Sequence, residues 1–232
     1  MAKPVTPPRI WFADGSVNSH TSKPLFRVGD HWEDHERMGN EERTARVDQS
    51  RAFMAAYWSA SPIAPADVPR AFSLMPNRNK PSGPQSFMLF VGLYTVVSAE
   101  TRALLERLDP GPLAFHPIEA LNAAQTVPLW PGAELYLLQV LTCRRAVVIE
   151  ESRTISEPIE RCLDGEAQRM VIAHDEQDAV VVAPPPEGGA EIWIDDRLMG
   201  AMFLTDRVAE ALKEAKLSRG WGLKRCVTKT VH

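Results

Sequence analysis

Short apolar runs recur along the second half of the chain, separated by segments whose apolar residues fall three and four apart. Phe87-Met88-Leu89-Phe90-Val91 and Tyr94-Thr95-Val96-Val97 have the β-branched and aromatic content of strands. Ser98 then offers an N-cap to a helix whose apolar or β-branched residues at 101, 104, 105 and 108 share one face. Asp109-Pro110-Gly111 ends that helix, and Leu113-Ala114-Phe115 begins another strand. The run from Glu134 to Leu141 is long enough for a strand or the start of a buried helix, and periodicity does not separate the two. Ala179–Val182 and Glu191–Ile194 read as strands, paired as a hairpin across the turn-forming Pro184-Pro185-Pro186-Glu187-Gly188-Gly189. Gly200–Leu204 is a further strand, followed by Thr205 as N-cap of a helix with Val208, Ala211, Leu212 and Ala215 inward.

Shifting the numbering by 107 lays the second strand–helix unit on the first, with Ser98 on Thr205 and 101, 104, 105 and 108 on 208, 211, 212 and 215. Two related strand-helix-strand units are one reading of this self-similarity; the general likeness of such units is the other. Residues 1–85 differ in texture, punctuated by ten prolines that remove backbone donors. Within them Arg9–Ala13 reads as a short strand and Asp48–Trp58 as a helix capped by Asp48. Asn77–Pro84 is the most linker-like stretch, so the expected division is an irregular N-terminal portion, 1–85, and an α+β domain, 86–232. The fold class expected is α+β (or α/β), a mixed sheet flanked by helices.

Length and composition fit this picture: 232 residues, 44% hydrophobic and 24% charged, are those of a globular protein of one or two domains. The longest mostly apolar run, Phe87–Val97, falls short of the ~20 residues a membrane-crossing helix needs. The first residues lack the apolar stretch of a signal peptide, so a cytoplasmic protein without a membrane partner is expected. Cys143, Cys162 and Cys226 fit neither a disulfide framework nor a zinc site and are read as reduced and mostly structural.

The net charge of −4 conceals a sharp gradient. Val147–Asp196 holds 3 basic and 13 acidic residues, net −10, whereas Arg197–His232 holds 8 basic and 3 acidic, net +5. An acidic block repels phosphate backbones and attracts basic surfaces, so a basic protein is a better partner for it than nucleic acid. The basic C-terminal stretch has no aromatic interleaving for nucleic acid; complementing the acidic block internally and flanking a helix C-terminus are the two roles open to it.

Candidate chemistry is sparse. Asp30-His31-Trp32-Glu33-Asp34-His35-Glu36 sets two histidines four apart with carboxylates beside them, but the order is wrong for a zincin and the segment reads as a polar surface loop or short exposed helix. No Gly-x-Ser-x-Gly elbow, Walker loop or Gly-x-Gly-x-x-Gly occurs, so no catalytic residue, metal or cofactor is expected. His116 at a strand end has no paired nucleophile and reads as structural; His174 belongs to the acidic block. The six tryptophans show no repeat spacing and read mainly as core.

The stretch from Ile194 to Leu217, in which Met199-Gly200-Ala201-Met202-Phe203-Leu204 leads into Thr205-Asp206-Arg207-Val208-Ala209-Glu210-Ala211-Leu212, resembles the end of bacterial polymorphic-toxin immunity proteins of the eleventh immunity family. The Tyr94–Leu108 unit and the acidic, strand-rich middle are similar to it as well, so the likeness spans about residues 87–226. The resemblance implies a non-catalytic cytoplasmic antidote that binds a cognate toxin and blocks its active site or its folding. It gives the acidic block a role as complement to a basic toxin surface, with Glu150, Glu151, Glu157, Glu160, Glu166, Asp175, Glu176 and Asp178 as candidate contacts. Two other classes stay open: a small metal-dependent hydrolase using His31, Glu33, Asp34 and His35, and an adaptor with a harmless partner.

Overall fold

The computed structural model describes residues 8–13, 26–28, 39–74, 83–84, 87–89, 94–159, 168–171 and 176–229. Its strands are β1 (Ile10–Ala13), β2 (Phe26–Val28), β3 (Ala71–Leu74), β4 (Phe87–Leu89), β5 (Thr95–Ser98), β6 (Leu113–Leu121), β7 (Leu135–Val140), β8 (Val181–Val182), β9 (Ile192–Ile194), β10 (Met202–Thr205), β11 (Leu223–Arg225) and β12 (Val227–Thr228). The helices are α1 (Asn40–Trp58), α2 (Ala99–Leu108) and α3 (Asp206–Glu214). The larger sheet has the order β2-β3-β6-β7-β5-β4; the smaller runs β11-β1-β10-β9, and β12 pairs with β8. β3 lies parallel to β6 and the other neighbours in the larger sheet are antiparallel, so the sheet is mixed, as expected.

The larger sheet is covered on both faces. Along β6 and β7, Phe115 and Pro117 share a face with Tyr136 and Leu138, while His116 and Ile118 share the other with Leu135, Leu137 and Gln139. Arg102 of α2 lies over the Phe115 and Tyr136 rings, which places α2 on the first face. Ser61, just beyond α1, accepts a hydrogen bond from the Gln139 side chain at 2.6 Å on the second. Burial on two sides explains why Leu135–Val140 is almost continuously apolar, and it settles that run as a strand. His116 Nε2 sits 3.2 Å from Gln139 Oε1, a structural setting for that histidine.

Tyr57 joins α1 to the strands in an unusual way. The β5–β7 register puts Thr95 opposite Leu138, yet the rung between them runs through the buried Tyr57 hydroxyl. It accepts from the Thr95 N–H at 3.0 Å and donates to the Leu138 carbonyl at 2.6 Å. Phe53 and Tyr94 pack around it, and burial pushes the Tyr57 phenol up to about 12.

In the smaller sheet the pleat divides two cores. Ala13, Ile192, Ile194, Met202 and Leu204 face a core shared with the larger sheet, α2 and α3, whereas Ile10, Phe12, Trp193 and Phe203 face a second core. β1, from the first residues of the chain, is a central strand, held between β10 and β11. Strands on both sides of Pro84 are hydrogen-bonded within each of these sheets.

Each strand–helix unit is present. β5 and β10 both end on the N-cap of their helix, α2 and α3 pack together, and the 107-residue offset holds for the start of each element. The caps differ: Ser98 Oγ accepts from Thr101 N–H at 3.4 Å, while Thr205 Oγ1 turns to Glu191 Oε1 at 3.3 Å. In α3, Val208, Ala209 and Leu212 are buried and Ala215 is exposed, because the helix ends at Glu214. Two expectations need correction. α1 begins at Asn40 rather than Asp48, and its first turns carry exposed polar residues such as Glu41, Glu42 and Gln49. Ala179–Val182 and Glu191–Ile194 form no hairpin: β8 pairs with β12 and β9 with β10, and the proline run carries the chain from one to the other.

Among the described residues no helix is long and apolar enough to cross a membrane. The His31–His35 cluster, His174 and Cys162 lie outside the described residues. Cys226 is buried, its thiol pushed up by desolvation, while Cys143 is exposed.

Candidate partner-binding face

The acidic block is the cover of the second core. Ala146, Val147, Val171, Val180 and Val182 bury their side chains against Ile10, Phe12, Trp193 and Phe203, and Ile149 and Ile155 pack at the margin. The segment contains little regular structure, so its backbone is held by scattered rungs: Val148 N–H to Val181 C=O at 2.9 Å, Arg153 N–H to Ala179 C=O at 3.0 Å, Ser156 N–H to Met170 C=O at 2.8 Å. The Ser152 hydroxyl adds two more, donating to Val148 C=O at 2.8 Å and accepting from Val181 N–H at 3.0 Å. With the apolar residues turned inward, carboxylates are left on the outside.

The cover is fastened to the smaller sheet at Asp195, which is fully buried. Its carboxylate accepts from Val147 N–H at 3.1 Å and from the Arg197 guanidinium at 2.7 and 2.9 Å. Arg197 also donates to Val147 C=O at 2.8 Å, closing a ring between cover and sheet. A buried carboxylate needs such compensation, and here the cation two residues along supplies it while the Val147 N–H ties in the cover. Beside it, Arg145 forms a two-point pair with Asp196 at 2.9 and 3.0 Å, which holds the Asp196 carboxyl below its usual range.

Five of the eight predicted contact residues fall on described positions. Glu150 and Glu151 occupy a 3₁₀ turn, Ile149–Glu151; Glu176 and Asp178 stand on the approach to β8; Glu157 lies further along, near Arg169. The backbone rungs between 148–153 and 179–181 bring the first four into one neighbourhood. Glu160, Glu166 and Asp175 lie outside the described residues.

Four of the five meet cations of the chain itself. Glu151 pairs with Lys229 at 2.5 Å, Glu176 with Arg153 at 3.8 Å, Glu157 with Arg169 at 4.0 Å, and Asp178 with Arg225. Hydrogen bonding to Arg225 lowers the Asp178 carboxyl from its ordinary value. The two pairs to Arg225 and Lys229 follow from β8 lying parallel to β12, which brings the basic C-terminal stretch against the acidic block. This internal pairing was legible as a charge gradient, but its partners depend on a strand pairing across some 45 residues. Pairs this exposed contribute little and exchange readily, so the carboxylates stay open to a stronger external cation.

A second feature carries no sequence motif. The loop after α2 and the proline loop before β9 enclose a cleft of about 530 Å³, with Asp109, Glu187 and Glu191 at its rim. Gly111, at φ +115°, brings the two loops together: a Cβ there would stand 2.7 Å from the Ala190 Cβ. Glu191 is held by Arg207, which also donates to the Leu108 carbonyl at 2.9 Å. Among the described residues no group of three or more His, Cys, Asp and Glu is placed to hold a metal.

No curated protein matches the chain. The model of the immunity protein family (Imm11) matches residues 16–228, and so reaches well into the proline-rich first part as well as the strand–helix units. A match over nearly the whole length shows that the chain belongs to this immunity protein family.

Proposed function

We propose that the chain is a non-catalytic immunity protein of interbacterial competition, acting in the cytoplasm by binding and neutralising one cognate toxin. The toxin meets the cover of the second core through a basic surface, with Glu150, Glu151, Glu157, Glu160, Glu166, Asp175, Glu176 and Asp178 as the contacting set. The observation that carries this placement is the division of labour within the cover: Val147, Val171, Val180 and Val182 are buried while Glu150, Glu151, Glu157 and Glu176 are exposed, the last three in weak pairs that a partner can replace. Complementary charge of this kind speeds encounter and sets which partner is accepted.

The test is co-expression with the product of the neighbouring gene. A toxic product rescued by this chain supports the reading, and a harmless one, or a toxin without rescue, overturns it. Reversing Glu150, Glu151, Glu176 and Asp178 to lysine is expected to slow association about tenfold or more at low salt and flatten its salt dependence. Rescue with unchanged association kinetics would move the contact elsewhere and leave the immunity role intact.

A further inference from the structure

One sheet edge is built for pairing and only half used. β3 pairs with β6 at Glu119–Leu121, beginning at the bond from Glu119 N–H to Arg70 C=O at 3.0 Å. Among the described residues, the first half of β6 has β7 alone beside it. The bond from Leu141 N–H to Pro112 C=O, 3.0 Å, sets the phase of that ladder. Ala114, His116 and Ile118 turn their backbone groups toward β7; Leu113, Phe115 and Pro117 turn theirs away. Leu113 and Phe115 thus present N–H and C=O groups that meet no partner among the described residues.

The surroundings favour a guest. Arg102 is stacked over Tyr136 at 4.5 Å and Phe115 at 5.7 Å and tied to Glu106 at 2.8 Å, so an ordered arginine–aromatic group flanks the edge. Pro112, which precedes the vacant stretch, lines the cleft rimmed by Asp109, Glu187 and Glu191. Those carboxylates favour a strand that brings a cation with it, as a basic segment of a partner does.

We infer that the vacant edge of β6 receives an extended segment of the toxin as an added strand, with a basic side chain of that segment directed to the carboxylates around Pro112. The inference rests on the immunity reading and names the form of recognition: backbone pairing supplies adhesion, and the acidic cleft supplies selectivity. It adds a contact on the larger sheet, apart from the cover of the second core.

Amide hydrogen exchange tests it, followed by NMR on the full chain alone and bound to a catalytically silenced form of the toxin from the neighbouring gene. In the free chain, Leu113 and Phe115 are expected to exchange quickly while Ala114 and His116 are protected; in the complex, Leu113 and Phe115 slow by about tenfold or more. Glu187→Lys is expected to weaken binding about threefold or more without changing the exchange pattern of the free chain. Slow exchange at Leu113 and Phe115 in the free chain, or a complex that leaves them fast, overturns the inference while the immunity role stands. Failure to form any complex overturns both.

Discussion

Replacing Tyr57 by phenylalanine removes one oxygen atom and two hydrogen bonds. The hydroxyl stands between Thr95 N–H, 3.0 Å away, and Leu138 C=O, 2.6 Å away, and a phenyl ring leaves both backbone groups facing across a space too wide for a direct bond. Each buried group left without a partner costs about 1–3 kcal/mol, against which the mutant no longer desolvates a hydroxyl, so the net loss is about 2–3 kcal/mol. For a chain of this length that corresponds to a fall of roughly 5–10 °C in Tm, read by calorimetry or by circular dichroism with a urea titration in parallel. Tyr136→Phe is the control: its hydroxyl donates to the exposed Glu134 at 3.2 Å, and its loss should cost under about 0.5 kcal/mol. Alkaline pH gives a second reading. The folded phenol titrates at about 12 against 10 in the unfolded chain, so the native state keeps its proton longer. That contribution is complete below pH 10, is lost as the pH rises toward 12, and amounts to about 2–3 kcal/mol. The phenylalanine variant lacks this part of the alkaline decline. A loss below about 0.5 kcal/mol, equal to that of the control, would show that the strands close directly and would refute the bridging role.

Other perturbations probe the cover, the cleft and the first strand. Asp195→Ala strands the Arg197 guanidinium and frees Val147; a loss of about 3–5 kcal/mol and faster tryptic cleavage within 150–170 are expected, and unaltered proteolysis would count against the fastening. Gly111→Ala combines a positive φ with a contact to Ala190 and should cost about 2–4 kcal/mol, whereas Gly132→Ala, also at positive φ but with open space around it, should cost about 1. Urea titration of both, with Ala190→Gly restoring part of the loss at Gly111, separates crowding from backbone strain. Phe12→Ala, which empties a place beside Phe203 at 5.6 Å, should cost about 3–4 kcal/mol, and a change of less than 1 would show that β1 contributes little to the second core.

What could be read from the chain was whatever depends on neighbours in sequence. α2 and α3 announced themselves through capping residues and one-sided spacing, and β5, β9 and β10 through short apolar runs. The beginning of α1 escaped because Asn40–Gln49 has no apolar periodicity; its glutamate, arginine and alanine residues favour a helix by backbone preference alone. The supposed hairpin failed for a different reason: strands adjacent in sequence were paired by proximity, when their partners lie near residues 203 and 227. β6 continues past Pro117 because that residue turns its nitrogen to the open edge, where no rung is missed. The acidic block was visible as charge, but its role as a roof over a second core needed the partners of its valines, which come from strands at both ends of the chain.

The placement of β1 bears on when the fold can be completed. The strand is synthesised first, yet its partners are β10 and β11, so roughly 200 residues must follow before the smaller sheet can close. At translation rates of about 5–20 residues per second that is a delay on the order of ten seconds or more, during which Ile10 and Phe12 have no core to enter. A nascent chain on the ribosome, and any messenger truncated before Leu223, therefore lacks β11 beside β1 and Cys226 in the second core. On the immunity role proposed above, only finished chains could neutralise a toxin, which favours making this protein ahead of its toxin or in excess over it.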